Sequence, residues 1–178
     1  MQLIILRHIQ TQAAEGLCYG QSEPPLPDDY GRKHRQLALA LQKHKFDAIY
    51  SSPLSRCALL AQAISGKHEV IYDKRLMELN FGDWEGLNWN DIEQCPEAGA
   101  FFDDYLNCAP PGGESFMQLI ERAESFLMEI KNKHPRHRIL VVSHGGPIRA
   151  IYGLVEKLKP EDYFKRQVPF GQIAQILL

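Results

Sequence analysis

The sequence predicts a three-layer α/β/α sandwich with a largely parallel central sheet, and three observations predict it. Short apolar runs alternate along the chain with stretches of helical periodicity, the order that builds strand-helix-strand crossovers. Two of those runs, Leu3-Ile4-Ile5-Leu6 and Ile139-Leu140-Val141-Val142, lack polar interruptions, as strands buried on both faces do. At 178 residues the chain is long enough for one sizeable core. One domain is expected over residues 1–178, with 87–115 as a small cap.

In order, the first apolar run stops at Arg7-His8. Its strand thus carries a cation and an imidazole to a C-terminal tip, where open α/β sheets bind ligands. Ile9 to Asp29, with Gly16, Gly20, Pro24, Pro25 and Pro27, reads as a long loop and a candidate wall of a cleft. From Tyr30 to His44, Leu37, Leu41 and the alanines recur at helical spacing, with Arg32, Lys33 and Arg35 on a solvated face. Asp47 to Ser51 reads as a strand running into Ser52-Pro53, a helix cap and first helical position. Arg56 then falls in the first turn or just beyond it, where backbone N–H groups favour an anion.

Glu69 to Asp73 is another brief strand, and Lys74 to Asn80 leads into the turn Phe81-Gly82-Asp83-Trp84-Glu85-Gly86. Between Leu87 and Pro111, an acidic segment with Trp89, Phe101, Phe102 and Tyr105 is expected to form short helices over the cleft. After the break at Pro110-Pro111-Gly112-Gly113, Ser115-x-x-Gln118 reads as a capping box. The next helix carries Phe116, Leu119, Ile120, Ala123, Phe126, Leu127 and Ile130 on one stripe, assigned to the core. The second unbroken run ends in Ser143-His144-Gly145-Gly146, repeating the opening arrangement. Pro147 opens a helix with Ile148, Ile151, Leu154 and Val155, and Gln172 to Leu178 forms the final strand.

A net charge of -2, 44% hydrophobic and 24% charged residues describe an ordinary globule without a basic field for nucleic acid. Cys18, Cys57, Cys95 and Cys108 show neither C-x-x-C spacing nor metal-ligand pairing with histidine, so reduced thiols in a cytoplasm are expected. The chain has no signal-peptide pattern and no membrane-length apolar run. No metal, cofactor, nucleic acid or membrane partner is expected; a monomer and a homodimer are equally compatible.

If the two unbroken strands run parallel in one sheet, Arg7, His8, Arg56 and His144 converge at one edge. Each alone has an ordinary structural explanation, a loop hydrogen bond or a surface ion pair. Four together, without a matching cluster of acids, repel one another unless an anion is expected. Phosphate is the natural guest, since arginines grip it through paired hydrogen bonds. A histidine among cations stays neutral and can attack phosphorus, and a departing alkoxide needs a proton. Glu78, just ahead of the aromatic-glycine turn, is the candidate donor.

These residues resemble motifs of the histidine phosphatase superfamily, which includes the cofactor-dependent phosphoglycerate mutases. Arg7-His8-Ile9-Gln10-Thr11 is similar to its R-H-G-x-T signature, Ser51-Ser52-Pro53-Leu54-Ser55-Arg56 to its second arginine motif, and Ser143-His144-Gly145-Gly146 to its second histidine motif. Glu78 to Gly86 resembles the stretch carrying its acid. The resemblance implies a phosphoglycerate mutase-like fold and metal-independent chemistry. It makes His8 the phosphorylated nucleophile, Glu78 the proton donor, and Arg7, Arg56 and His144 the phosphate holders. Thr11 and Gly145 lie inside these motifs and are candidate binding residues. Gly16 to Ser22, the aromatic-glycine turn and Pro111-Gly112-Gly113-Glu114-Ser115 are most similar to the α-ribazole phosphatase branch of cobalamin biosynthesis. That implies a small-molecule phosphate ester as substrate, α-ribazole 5′-phosphate or adenosylcobalamin 5′-phosphate.

Two positions depart from the family pattern. Ile9 stands where the family has glycine, and Ala14 where many members have a phosphate-binding asparagine; Tyr19, Gln21 or Ser22 is the candidate replacement contact. Competing readings are a broad-specificity or sugar-phosphate phosphatase, a phosphoprotein phosphatase, a mutase, and a catalytically silent phosphate-binding regulatory module. The absence of G-x-G-x-x-G after the first strand disfavours a dinucleotide-binding domain.

Overall fold

The computed structural model describes all 178 residues. In chain order the elements are β1 (Gln2–Arg7), α1 (Tyr30–Leu41), β2 (Ala48–Ser51), α2 (Ser55–Ser65) and β3 (Val70–Tyr72). There follow α3 (Trp89–Ile92), α4 (Ala98–Asp103), α5 (Phe116–Lys133), β4 (Arg138–Ser143), α6 (Gly145–Glu156) and β5 (Ile173–Leu177). The strands form one sheet in the order β3-β2-β4-β1-β5. The first four are mutually parallel, and β5 alone runs antiparallel, along the outer edge of β1.

The unbroken apolar runs are explained by the two-residue period of a strand between two helical layers. Leu3 and Ile5 of β1, with Ile139 and Val141 of β4, face the larger core beneath α5 and α6. Ile4, Leu6, Leu140 and Val142 face the smaller core under α1 and α2. All seven residues of the α5 stripe are buried, and its capping box is complete: Gln118 N donates to Ser115 Oγ and Ser115 N to Gln118 Oε1.

The site follows from the strand order. β1 leads to α1 on one face and β4 to α6 on the other, so the chain parts between two adjacent strand tips, where open α/β sheets leave a crevice. Register pairs Arg7 with Ser143. The next residues, His8 and His144, therefore stand side by side.

Two helix starts differ from expectation. Ser52-Pro53 does not cap α2, which begins at Ser55 after an extended Leu54. Glu23 of the long loop caps it instead, accepting from Ser55 N at 2.8 Å and Ser55 Oγ at 2.5 Å. Nor does Pro147 open α6, which starts at Gly145 with His144 as its extended N-cap residue. The proline still lies in the first turn, where it removes no intrahelical donor. No helix is long and apolar enough to cross a membrane.

Candidate active site

His8 leaves β1 at the crevice with 1% of its surface exposed. Its Nδ1–H donates to the Ile9 carbonyl at 2.6 Å, which fixes the tautomer and leaves Nε2 with a free lone pair. Burial, then the charges of Arg56 and Arg7, push its pKa down to about 3, so the imidazole is neutral at pH 7. Ile9 costs the backbone nothing here: Lys157 is the only non-glycine residue with positive φ.

This depression predicts acid sensitivity. With a folded pKa near 3 against 6.5 unfolded, the unfolded chain binds the extra proton across that window, so stability is full above pH 6.5 and falls as pH drops toward 3. The share of His8 is about 2 kcal/mol between pH 7 and 5. Urea unfolding of wild type and His8→Asn at both pH values measures it; equal pH dependence in the two proteins would exclude His8 as the source.

His144 is fully buried and both its nitrogens are engaged. Nδ1 accepts from Arg56 Nε at 3.2 Å, so Nε2 carries the hydrogen and donates to Ser52 Oγ at 2.7 Å. Its ring centroid lies 5.0 Å from that of His8. Burial, then the neighbouring His8, Arg56 and Arg7, holds its pKa well below the ordinary value. Beneath it the buried Cys57 Sγ lies 3.5 Å from Nε2, and burial pushes that thiol up.

Arg56 sits in the first turn of α2 with no exposed surface. Nη1 donates to Ser22 O at 2.7 Å and Nη2 to Gly20 O at 2.6 Å, so the guanidinium fastens the long loop beside the crevice. One hydrogen on each terminal nitrogen stays available for a ligand. An acid is nearer than the sequence suggests, since Glu23 lies 3.8 Å away.

Arg7 stacks its guanidinium 3.8 Å from the Phe170 ring centre and donates Nη1 to Val168 O. Its Nε is buried with no partner, the condition of a group awaiting an acceptor. A third cation, Arg149, is absent from the sequence-derived set. An added Cβ on Gly145 would meet Arg149 Nη1 at 2.9 Å and Arg7 Cζ at 3.4 Å, so the two guanidiniums flank this glycine. The signal available was its place five residues after His144, on the helix that opens at the crevice.

Glu78 projects to the start of α6, where its Oε1 accepts from Gly146 N and Leu79 N, both at 3.0 Å. A Cβ on Gly146 would stand 2.4 Å from that oxygen, so a larger residue there would displace the Glu78 carboxyl group from the helix start. The Glu78 carbonyl accepts from Gln21 Nε2 at 2.9 Å and Arg122 Nη2 at 3.0 Å, and Glu114 holds Arg122 from below. Glu78 lines an open cleft of ≈ 310 Å³ with Arg7, Tyr19, Gly146 and Arg149.

The remaining candidates are placed differently. Tyr19 lines the cleft, its ring centre 5.3 Å from the Arg56 guanidinium. Thr11 is buried and its Oγ1 accepts from Ala13 N. Gln21 and Ser22 turn their side chains elsewhere: Gln21 to the Glu78 carbonyl, Ser22 Oγ to Glu85. Glu85 also accepts from Gln21 N at 2.8 Å and Ser22 N at 2.7 Å, so the aromatic-glycine turn anchors the loop that Arg56 grips. Ala14 is exposed and lines a shallow hollow with Thr11, Tyr19 and Phe170.

Chemically, the crevice brings together two neutral imidazoles, of which His8 alone keeps a free nitrogen, three guanidiniums, and the Glu78 carboxyl group. This equipment suits an anion with an electrophilic centre.

Comparison with known proteins gives a consistent picture. The family model described as histidine phosphatase superfamily (branch 1) matches residues 3–177. The metal-independent phosphoserine phosphatase of Arabidopsis thaliana is 38% identical over 161 residues, 85% of this chain and 67% of that protein. The adenosylcobalamin/alpha-ribazole phosphatase of Escherichia coli K12 is 30% identical over 151 residues, 82% of this chain and 74% of its own. The crystal structure of the alpha-ribazole phosphatase from Shigella flexneri superposes with a TM-score of 0.92 at 27% identity, covering 100% of this chain and 91% of that one.

Proposed function

The chain belongs to the histidine phosphatase superfamily, and from that membership we propose that it is a metal-independent phosphomonoesterase that works through a phosphohistidine on His8. The carrying observation is the His8 ring itself, neutral, held by the Ile9 carbonyl and with Nε2 free. In the proposed cycle Nε2 forms a bond to phosphorus as the ester P–O bond breaks. The leaving alkoxide takes a proton from the Glu78 carboxyl group. Arg7 and Arg56 donate to the equatorial oxygens, where charge concentrates, and His144 positions Arg56 through the Nε–Nδ1 hydrogen bond. Water, deprotonated by the Glu78 carboxylate, then attacks phosphorus, releases phosphate and restores both residues.

The proposed substrate is α-ribazole 5′-phosphate or adenosylcobalamin 5′-phosphate, supported by the loop and turn motifs and by the Escherichia coli and Shigella relatives. Arg149 favours a second reading, an ester bearing a carboxylate, as phosphoserine does. Phosphate release in the presence of EDTA from α-ribazole 5′-phosphate, phosphoserine, 3-phosphoglycerate and fructose bisphosphate tests both. At least tenfold preference for α-ribazole 5′-phosphate is expected. Preference for phosphoserine would overturn the substrate, and no release from any ester would overturn the phosphatase.

A further inference from the structure

Beside the charged cleft lies a second cavity of ≈ 390 Å³ lined entirely by apolar and aromatic residues. Leu79, Phe81, Trp89, Phe116 and Phe164 wall both spaces, so the two lie side by side. Its remaining lining is Phe101, Phe102 and Tyr105, from the segment between the aromatic-glycine turn and α5. The rings brace one another edge to face: Phe81 on Trp89 with centroids 5.2 Å apart, Tyr105 on Phe164 at 5.2 Å, Phe101 on Phe102 at 5.5 Å. Phe102 and Phe164 stay 47% and 44% exposed at the rim. Arg149 marks the boundary, its guanidinium 5.3 Å from the Phe164 ring centre.

We infer that this chamber is a leaving-group subsite for an uncharged planar ring, carried by the ester whose phosphate sits at Arg7 and His8. The inference rests on the phosphomonoesterase reading and deepens it by assigning the residues that choose the substrate. A charged leaving group finds no counter-charge among eight side chains whose only polar groups are the Trp89 indole N–H and the Tyr105 hydroxyl, and a strongly hydrated one would lose most of its water on entry. A flat ring offers faces and edges to rings already held edge to face. Its entry also covers the rim aromatics that the free protein leaves in solvent. The chamber favours ring-bearing esters over phosphoserine, which would leave it empty whatever its carboxylate meets.

The test compares 2-(1-naphthyl)ethyl phosphate with ethyl phosphate, both esters of primary alcohols with similar leaving-group chemistry, so the ratio of kcat/KM reads the ring. In wild type the naphthyl ester should be favoured at least 100-fold over ethyl phosphate and tenfold over phosphoserine. In Phe102→Glu and Phe164→Glu the naphthyl to ethyl ratio should fall to threefold or less. Equal turnover of both esters by wild type would overturn the subsite and leave the phosphatase standing. Should no ester release phosphate, the phosphatase reading falls and binding decides the subsite. The product alcohol 2-(1-naphthyl)ethanol should then shift the Trp89 indole N–H resonance in wild type but not in Phe102→Glu, and no shift in wild type would overturn it.

Discussion

Replacing His8 by alanine is expected to lower phosphate release by on the order of 10⁴-fold or more, the scale on which removal of a covalent nucleophile acts. No other neutral nitrogen faces the cleft: His144 directs both ring nitrogens to Arg56 and Ser52. A general electrostatic role for His8 would leave a milder loss, because the guanidiniums would still attract the ester. The measurement pairs initial rates with trapping of ³²P-labelled protein from labelled substrate. Wild type should carry an acid-labile, base-stable label and His8→Ala none. A variant within tenfold of wild type would remove His8 as nucleophile, and His8→Asn, closer in volume, guards against misfolding as the cause of a loss.

The second large effect concerns Arg56. Arg56→Ala removes a side chain with no exposed surface and leaves two carbonyls and one imidazole nitrogen without their donor. Each orphaned group costs about 1–3 kcal/mol, so a stability loss of about 3 kcal/mol or more is expected together with a fall in kcat/KM of on the order of 10³-fold. Arg56→Lys separates charge from geometry. It keeps the positive charge, but its donors radiate from one nitrogen and cannot serve Gly20, Ser22 and His144 together. A fall of roughly 10²-fold in kcat/KM is expected, with weaker anchoring of the 9–29 loop seen as faster proteolysis there. Wild-type kinetics and urea midpoint in Arg56→Lys would show that the fork geometry is unimportant.

Sheet and site were legible to different depths. The buried strands announced themselves because β1 and β4 are apolar on both faces, and the α5 stripe because its spacing is regular over eighteen residues. Arg7, His8, Arg56 and His144 were legible because strand tips and helix starts are local features that parallel pairing brings to one edge. What stayed hidden depends on long-range contacts. That Glu23 caps α2, that Glu85 holds Gln21 and Ser22, and that Arg149 faces Arg7 across Gly145 are decided by how an irregular loop lies on the sheet. No periodicity encodes that. The same holds for the aromatic chamber, whose walls come from five separated stretches.

The strand that bears the nucleophile lies in the interior of the sheet, yet it is made before every other strand of that sheet. Its neighbours are β4 and β5, and Arg138, which its Gln2 pairs with and hydrogen-bonds, stands 136 positions later. At about 5–20 residues per second, translation leaves β1 roughly seven seconds or more without either partner. During that interval Leu3 to Leu6 is an apolar segment with two open edges, the kind of surface that chaperones hold and aggregates recruit. The chain also has no productive chemistry in that time, because Gly146, which receives the Glu78 carboxylate, is made after β4. Late closure of the sheet by its central strand makes folding slow through high contact order, and keeps the imidazole unarmed until β4 and the start of α6 have been made.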